Sequence, residues 1–377
     1  LHDALPISIW YLCYMSIKIE RKNCTVNKSM INEHDSQQIL FENNFDYEKR
    51  SNLCVPFLKS RGIKPSPIFN TYWRYAAERQ HIFMKRKSGV PFPWTDDDIL
   101  LKYKFTNVYR ASDRVSQYLI KEVIYCGGFG NRYSPEDTFF RILLFKLFNK
   151  IDTWKYLESE LGTIDFKSYS YEKYYYLLNN LLDDGKRIYS AAYIMPSGAS
   201  FGNNRKHGNN LRLLELMMSE HLVAKISKAR NLMEIYQLLL EFPSVGKFLA
   251  FQYAIDINYS ELCDFSEMDY VVAGPGAHSG ISKIFLDTNG YSDEYIIRLM
   301  AENQEEEFKR LGLKFEYLEK RKLQLIDCQN IFCEVDKYTR VAFPNYKGNN
   351  RSRIKQHFIP NLAQPIDYFY PPKWGIT

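Results

Sequence analysis

The sequence predicts a mostly α-helical protein, and three observations carry that expectation. Apolar side chains recur at three- and four-residue spacing over long stretches, cap-forming residues head several of these stretches, and alternating strand-like segments are scarce. The chain has 377 residues, 45% hydrophobic and 16% aromatic, with 29 Tyr and 25 Phe, enough ring area to offset the entropy of ordering the backbone. That composition excludes a disordered chain, a collagen-like chain and a coiled-coil rod. No apolar run reaches the roughly 18 to 20 residues of a membrane span.

Taken in order, residues 1–65 are polar and Asn-rich and read as a poorly structured leader; residues 66–377 read as one helical domain. Trp73, Ala76, Ala77 and His81 mark a first helix, which runs into the basic string Lys85-Arg86-Lys87 and a Pro-broken loop at 89–94. Thr95 stands ahead of Asp96, Asp97 and Asp98 as an N-cap with an acidic first turn. Ser112 is placed to cap a helix carrying Val115, Leu119 and Val123 on one stripe. Ser134-Pro135-Glu136-Asp137 is a cap with Pro at the first helical position. The helix it opens, 135–150, is apolar on nearly all sides and should be central and buried. Further helices are expected over 171–182, 211–226, 229–240, 247–257 and, capped by Ser292, 293–311.

Charge and cysteine usage narrow the function classes. The excess of 50 Lys and Arg over 44 Asp and Glu, a net +6, permits a polyanionic partner without requiring one. Seven Cys without a CxxC pair argue against a disulfide framework and a structural zinc site, so an intracellular location, cytoplasmic or nuclear, is expected.

Glu241-Phe242-Pro243-Ser244-Val245-Gly246-Lys247 is a tight Pro/Gly turn between two apolar helices. It resembles the hairpin of helix-hairpin-helix DNA glycosylases, Leu-Pro-Gly-x-Gly, with Ser244 in place of the first Gly. Such a turn aims backbone N–H groups at a DNA phosphate, aided by the positive end of the following helix; the alternative is a purely structural helix-turn-helix. In those enzymes a catalytic Asp follows about twenty residues later at the start of another helix, and Asp269 lies 23 residues past Gly246. The resemblance implies a glycosylase-like helical body, with the hairpin and the Asp loop at 241–280 and a C-terminal extension at 315–377.

A broader resemblance covers residues 70–377. Glu78-Arg79-Gln80-His81, Pro93-Trp94-Thr95-Asp96-Asp97, Phe105-Thr106-Asn107-Val108-Tyr109-Arg110, Phe145-Lys146-Leu147-Phe148-Asn149, Gly274-Pro275-Gly276-Ala277 and Gln329-Asn330-Ile331-Phe332-Cys333-Glu334 are similar to the helical domain of 5-hydroxymethyluracil DNA kinases, also described as alpha-glutamyl/putrescinyl-thymine pyrophosphorylases. This resemblance implies phosphorylation of the 5-hydroxymethyl group of a uracil base in DNA during thymine hypermodification. It also implies ATP or another nucleoside triphosphate, and Mg²⁺. The alternatives are a glycosylase and a base-sensing DNA-binding module without chemistry.

Residue chemistry then assigns roles. Asp269 is the candidate general base, with Asp113, Asp256 and Glu334 as the other carboxylates to test, and Arg110 and Arg114, four apart, are placed to share a face toward a phosphoryl group. Asp113 steers one of these arginines or accepts a proton; the structural alternative is an ion pair at the helix start. Ser244, Val245, Gly246 and Lys247 in the hairpin, Arg205 and Lys206 in a flexible loop, and Arg351, Arg353 and Lys355 near the C-terminus are candidate DNA contacts. Gly246 is expected to need a conformation or approach that a side chain would obstruct. No Gly-x-x-x-x-Gly-Lys-Ser/Thr string occurs, so Gly274 and Gly276, with Asn107, Lys146 and Asn149, are the candidate phosphate or nucleotide contacts. Lys146 and Asn149 face a cleft or form the solvated rim of their helix. Glu334 and Asp336 are candidate Mg²⁺ ligands unless Lys337 and Arg340 neutralise them.

Overall fold

The computed structural model describes residues 55–130, 132–346, 353–360 and 367–376, and they are mostly α-helical. The leader up to residue 54, and Arg351, lie outside the described residues. Residues 55–65 carry a short helix, Pro56–Lys59, and a strand β1, Lys64–Pro65; Val55, Leu58 and Ile63 belong to the core. β1 pairs antiparallel with β2, Phe285–Asp287, Lys64 facing Asp287.

Seven helices build the body around the site: α1 (Asn70–Lys87), α2 (Pro135–Phe148), α3 (Lys206–Ser219), α4 (Leu232–Leu240), α5 (Lys247–Ile257), α6 (Pro275–Ile284) and α7 (Leu325–Ala342). α2 starts as its sequence dictates, with Ser134 Oγ accepting from the Asp137 N–H at 3.0 Å, and residues 138–148 are buried on every side. α5 is equally enclosed from Leu249 to Ile257. α6 lies against α7 closely enough that a Cβ on Gly280 would fall 2.2 Å from the Phe332 carbonyl oxygen, so only glycine fits there.

Boundaries moved where backbone geometry overrode pattern. The acidic helix predicted over 293–311 is two helices, Asp293–Glu302 and Gln304–Arg310, and Ser292 caps the first as expected. The stretch 211–226 divides into α3 and Leu222–Ile226, with His221 between them at φ 53°. Asp97, and not Thr95, caps Asp98–Lys102; Thr95 Oγ1 instead donates to Glu78 at 2.5 Å and accepts from the Asp97 N–H. Ser112 belongs to a 3-10 turn, Arg110–Ser112, and the helix Arg114–Tyr118 that follows continues into a π-helical turn, Leu119–Ile124.

Candidate functional site

α4 and α5 are joined by the predicted turn, and its backbone corrects one expectation. Ser244, standing where the hairpin pattern has glycine, is the left-handed residue at φ 68°. Gly246 has φ −79° and ψ 170°, and a Cβ there would meet nothing within 4 Å. The chain itself therefore does not require glycine at 246.

Lys247, the first residue of α5, shares a cleft of about 300 Å³ with Asp269, and the rings of Tyr236 and Tyr270 line it 5.2 Å apart. Asp269 lies exposed on a turn, six residues ahead of α6, not at a helix start. Its side chain has no hydrogen bond or ion pair among the described residues, which leaves the carboxylate open to a ligand. The turn is fixed from outside: Arg298 donates to the Met268 carbonyl at 2.8 Å and to that of Asp269 at 3.0 Å. Glu294 accepts the Ala273 N–H at 3.0 Å. Two groups that the sequence singled out separately, Lys247 and Asp269, thus face one cleft.

A second cluster lies at the far end of α5. Asp256, fully buried, accepts from Arg110 Nη1 at 2.8 Å through Oδ1, and its Oδ2 is 3.1 Å from Lys146 Nζ, an ion pair outside good hydrogen-bond geometry. Arg110 also donates to Gln252 at 2.9 Å and to the Tyr259 hydroxyl at 3.1 Å, and Lys146 donates to Asn149 at 2.8 Å. The Tyr193 ring lies 5.7 Å from the Arg110 guanidinium and 4.6 Å from Lys146 Nζ, and stacks on Phe248 of α5. Two cations share one carboxylate here, and the energetics follow. Burial pushes Lys146 down to about 8, with the nearby Arg110 acting in the same direction and Asp256 only partly opposing them. Burial works to raise Asp256, but Arg110 and Lys146 outweigh it and hold its carboxyl below the usual range.

Lys146 and Asn149 are therefore neither cleft-facing nor a solvated rim; at 3% and 2% exposure they belong to the core. Arg110 and Arg114 share no face, because the 3-10 turn breaks the helical register: Arg110 points inward, and Arg114 is exposed. Asp113 accepts the Asn107 N–H at 2.7 Å, and Asn107 donates to the Ser112 carbonyl, so both tie this loop together. Burial pushes Asp113 up to about 7, with Glu334 adding to the effect.

Most of the remaining candidates are held by protein partners. Arg205 pairs with Asp183 at 3.2 Å, and Lys206 lies over the Tyr189 ring at 4.2 Å. Their loop is tied to the start of α3: Asn209 accepts from the Asn203 N–H and donates to the Ser197 and Asn203 carbonyls. Arg353 and Lys355 are exposed beside an isolated bridge from Tyr103 to His357. A Cβ on Gly274 would meet the Phe248 ring at 2.8 Å, and one on Gly276 would meet Cys333 Sγ at 3.0 Å, so these glycines serve helix packing and do not fit a triphosphate cradle. Glu334 pairs with Lys337 at 2.6 Å; Asp336 takes Lys283 at 2.6 Å, Ser279 at 2.7 Å and Arg340. Both carboxylates are neutralised, and no group of three or more His, Cys, Asp or Glu able to hold a metal ion occurs among the described residues.

Asp256 stood in the sequence only as an alternative carboxylate, and Tyr193, Gln252 and Tyr259 were not singled out. The available signal was a charge inside a largely apolar stretch of helix. Asp256 in Phe251-Gln252-Tyr253-Ala254-Ile255-Asp256-Ile257 and Lys146 in Phe145-Lys146-Leu147-Phe148 both break such runs, and buried charges of that kind call for each other.

Residues 66–348 match the model of the family described as 5-hmdU DNA kinase, helical domain. A protein named 5-hmdU DNA kinase from Bacillus phage SP10 is 26% identical over 289 residues, covering 72% of this chain and 45% of that protein. This chain thus spans less than half the length of that relative. No solved structure matches. No helix among the described residues is long and apolar enough to cross a membrane.

Proposed function

The chain belongs to the 5-hmdU DNA kinase helical-domain family, and on that premise we propose that it engages DNA and presents a 5-hydroxymethyluracil base for phosphorylation of its hydroxymethyl group. The observation that carries this reading is the cleft beside the α4–α5 turn, which gathers Lys247, a free Asp269 carboxylate and two tyrosine rings. A base in the duplex stack is out of reach of any side chain, so the base leaves the stack and lies against Tyr236 and Tyr270. The α4–α5 turn acts as a glycosylase-like hairpin: the first N–H groups of α5 and the Lys247 ammonium take a backbone phosphate. Asp269 accepts the proton of the hydroxymethyl oxygen. The buried Arg110–Asp256–Lys146 cluster fixes α5 behind that cleft and does not touch the base.

A nucleoside triphosphate with Mg²⁺ is the donor that the family name suggests, and Gly274, Gly276, Glu334 and Asp336 are committed to packing and ion pairs. This favours a second reading, in which the helical body binds and presents the base while phosphoryl transfer belongs to another part of a longer protein. Incubation with 5-hydroxymethyluracil duplex, ATP and Mg²⁺, followed by nucleoside mass analysis, separates the readings. A base heavier by one phosphoryl group supports catalysis by this chain. Unchanged DNA, bound more tightly than its thymine counterpart, supports presentation. Abasic sites would establish a glycosylase, and absence of binding would overturn both readings.

A further inference from the structure

We propose that Phe129 is a wedge that inserts between stacked bases of DNA, in the space that an everted base vacates; this rests on the DNA-engaging reading above. Phe129 is 77% exposed, among the most exposed large apolar side chains described. An isolated apolar ring in water is not unusual by itself, but the backbone that carries this one is built for projection. Cys126, Gly127, Gly128 and Gly130 have φ of 52°, 77°, 89° and 96°, with Phe129 at −82° among them. Left-handed backbone is unfavourable for a residue with a Cβ, and Cys126 adopts it nonetheless. The π-helical turn Leu119–Ile124 leads directly into this segment, and such turns concentrate at functional sites.

The base of the loop is anchored although its tip is exposed. The Tyr125 hydroxyl donates to Glu261 at 2.7 Å and to the Tyr259 carbonyl at 3.1 Å, just beyond the end of α5. The Tyr125 ring packs on Phe369 at 5.6 Å, and a Cβ on Gly128 would lie 3.3 Å from that same ring. The Arg132 guanidinium lies 5.3 Å from the Phe129 ring and is exposed. A flat apolar ring paired with a guanidinium suits a nucleic acid better than an apolar protein surface: the ring stacks or wedges between bases while the cation meets the adjacent phosphate. Tyr125 anchors the loop to the segment that follows α5, whereas Lys247 opens that helix, so the wedge loop and the phosphate-gripping turn lie at opposite ends of α5.

The test uses a duplex with 2-aminopurine beside a single 5-hydroxymethyluracil, reading its fluorescence for unstacking and anisotropy for affinity. The full chain should raise the fluorescence on binding. Phe129→Ala should lose most of that rise and bind roughly tenfold more weakly, in keeping with base–aromatic stacking, with unchanged thermal unfolding; Phe129→Trp should keep both signals. A Phe129→Ala variant that binds and unstacks like the wild type would overturn the wedge and leave the DNA-engaging reading intact. If the wild-type chain binds no duplex, the wedge and that reading fall together.

Discussion

The two ends of α5 place charged side chains under opposite conditions. At its head, Lys247 and the nearby Asp269 are exposed, and the Asp269 carboxylate is without a protein partner; at its tail, about 13 Å along a helix rising roughly 1.5 Å per residue, Asp256 is enclosed and held by two cations. The tail illustrates that a buried carboxylate is tolerated only when cations arrive from other elements, here Arg110 from a 3-10 turn and Lys146 from α2. The head illustrates the converse: charges that solvent already satisfies remain free to bind something else.

The largest expected effect breaks the tail. Asp256→Asn leaves two buried cations without their anion and should cost about 3–5 kcal/mol of stability in urea unfolding, the range for breaking a buried pair. A loss below about 1 kcal/mol would mean that the cluster does not hold α5. At the head, Asp269→Asn should leave unfolding unchanged and lower phosphorylation of 5-hydroxymethyluracil DNA by about 10² or more, as expected for a general base. A folded variant with full turnover would remove Asp269 from the chemistry.

The pH dependence of stability gives a further test of the buried groups. Lys146, lowered to about 8 in the folded chain, binds its proton less well there than in the unfolded chain, whose lysines titrate near 10.5. Stability should therefore rise with pH between about 8 and 10.5, and Lys146→Met should flatten that rise. Asp113 is raised to about 7 from an ordinary 3.8, so the folded chain holds its proton more tightly and stability should fall as pH rises from about 4 to 7. Asp113→Asn keeps an oxygen for the Asn107 N–H and should remove this contribution; unchanged curves for both variants would refute the assignments.

The smallest effects fall in the turn. Ser244→Gly relieves a left-handed residue and should raise stability by up to about 1 kcal/mol. Gly246→Ala should change it by less than about 0.5 kcal/mol, since the conformation is ordinary and the space is open. The reverse pattern in thermal unfolding would show that the turn differs from this description.

Most of the helical framework was legible in the sequence because its signals are local. Ser134 caps α2, Ser292 caps the helix that follows it, and α5 spans the residues its pattern marked. Breaks caused by single backbone angles were not legible: His221 at φ 53° divides one apolar stripe, and a 3-10 turn separates Arg110 from Arg114. The site divides in the same way. The turn with Lys247 and the spacing to Asp269 could be read along the chain, whereas the Asp256 cluster joins residues 110 and 146 positions apart from it. Spacing does not report such a pairing; the polarity of single residues within apolar helices does.

The central claim is that the head of α5 meets DNA carrying 5-hydroxymethyluracil, and equilibrium binding across a salt series tests it most directly. Duplexes identical except for 5-hydroxymethyluracil or thymine would be compared for the wild-type chain and for Lys247→Gln. The expected result is tighter binding of the modified duplex, an affinity that falls linearly on logarithmic axes with salt, and a slope reduced by about one in the variant as one phosphate contact is lost. Equal affinity for the two duplexes, together with an unchanged slope for Lys247→Gln, would contradict the account.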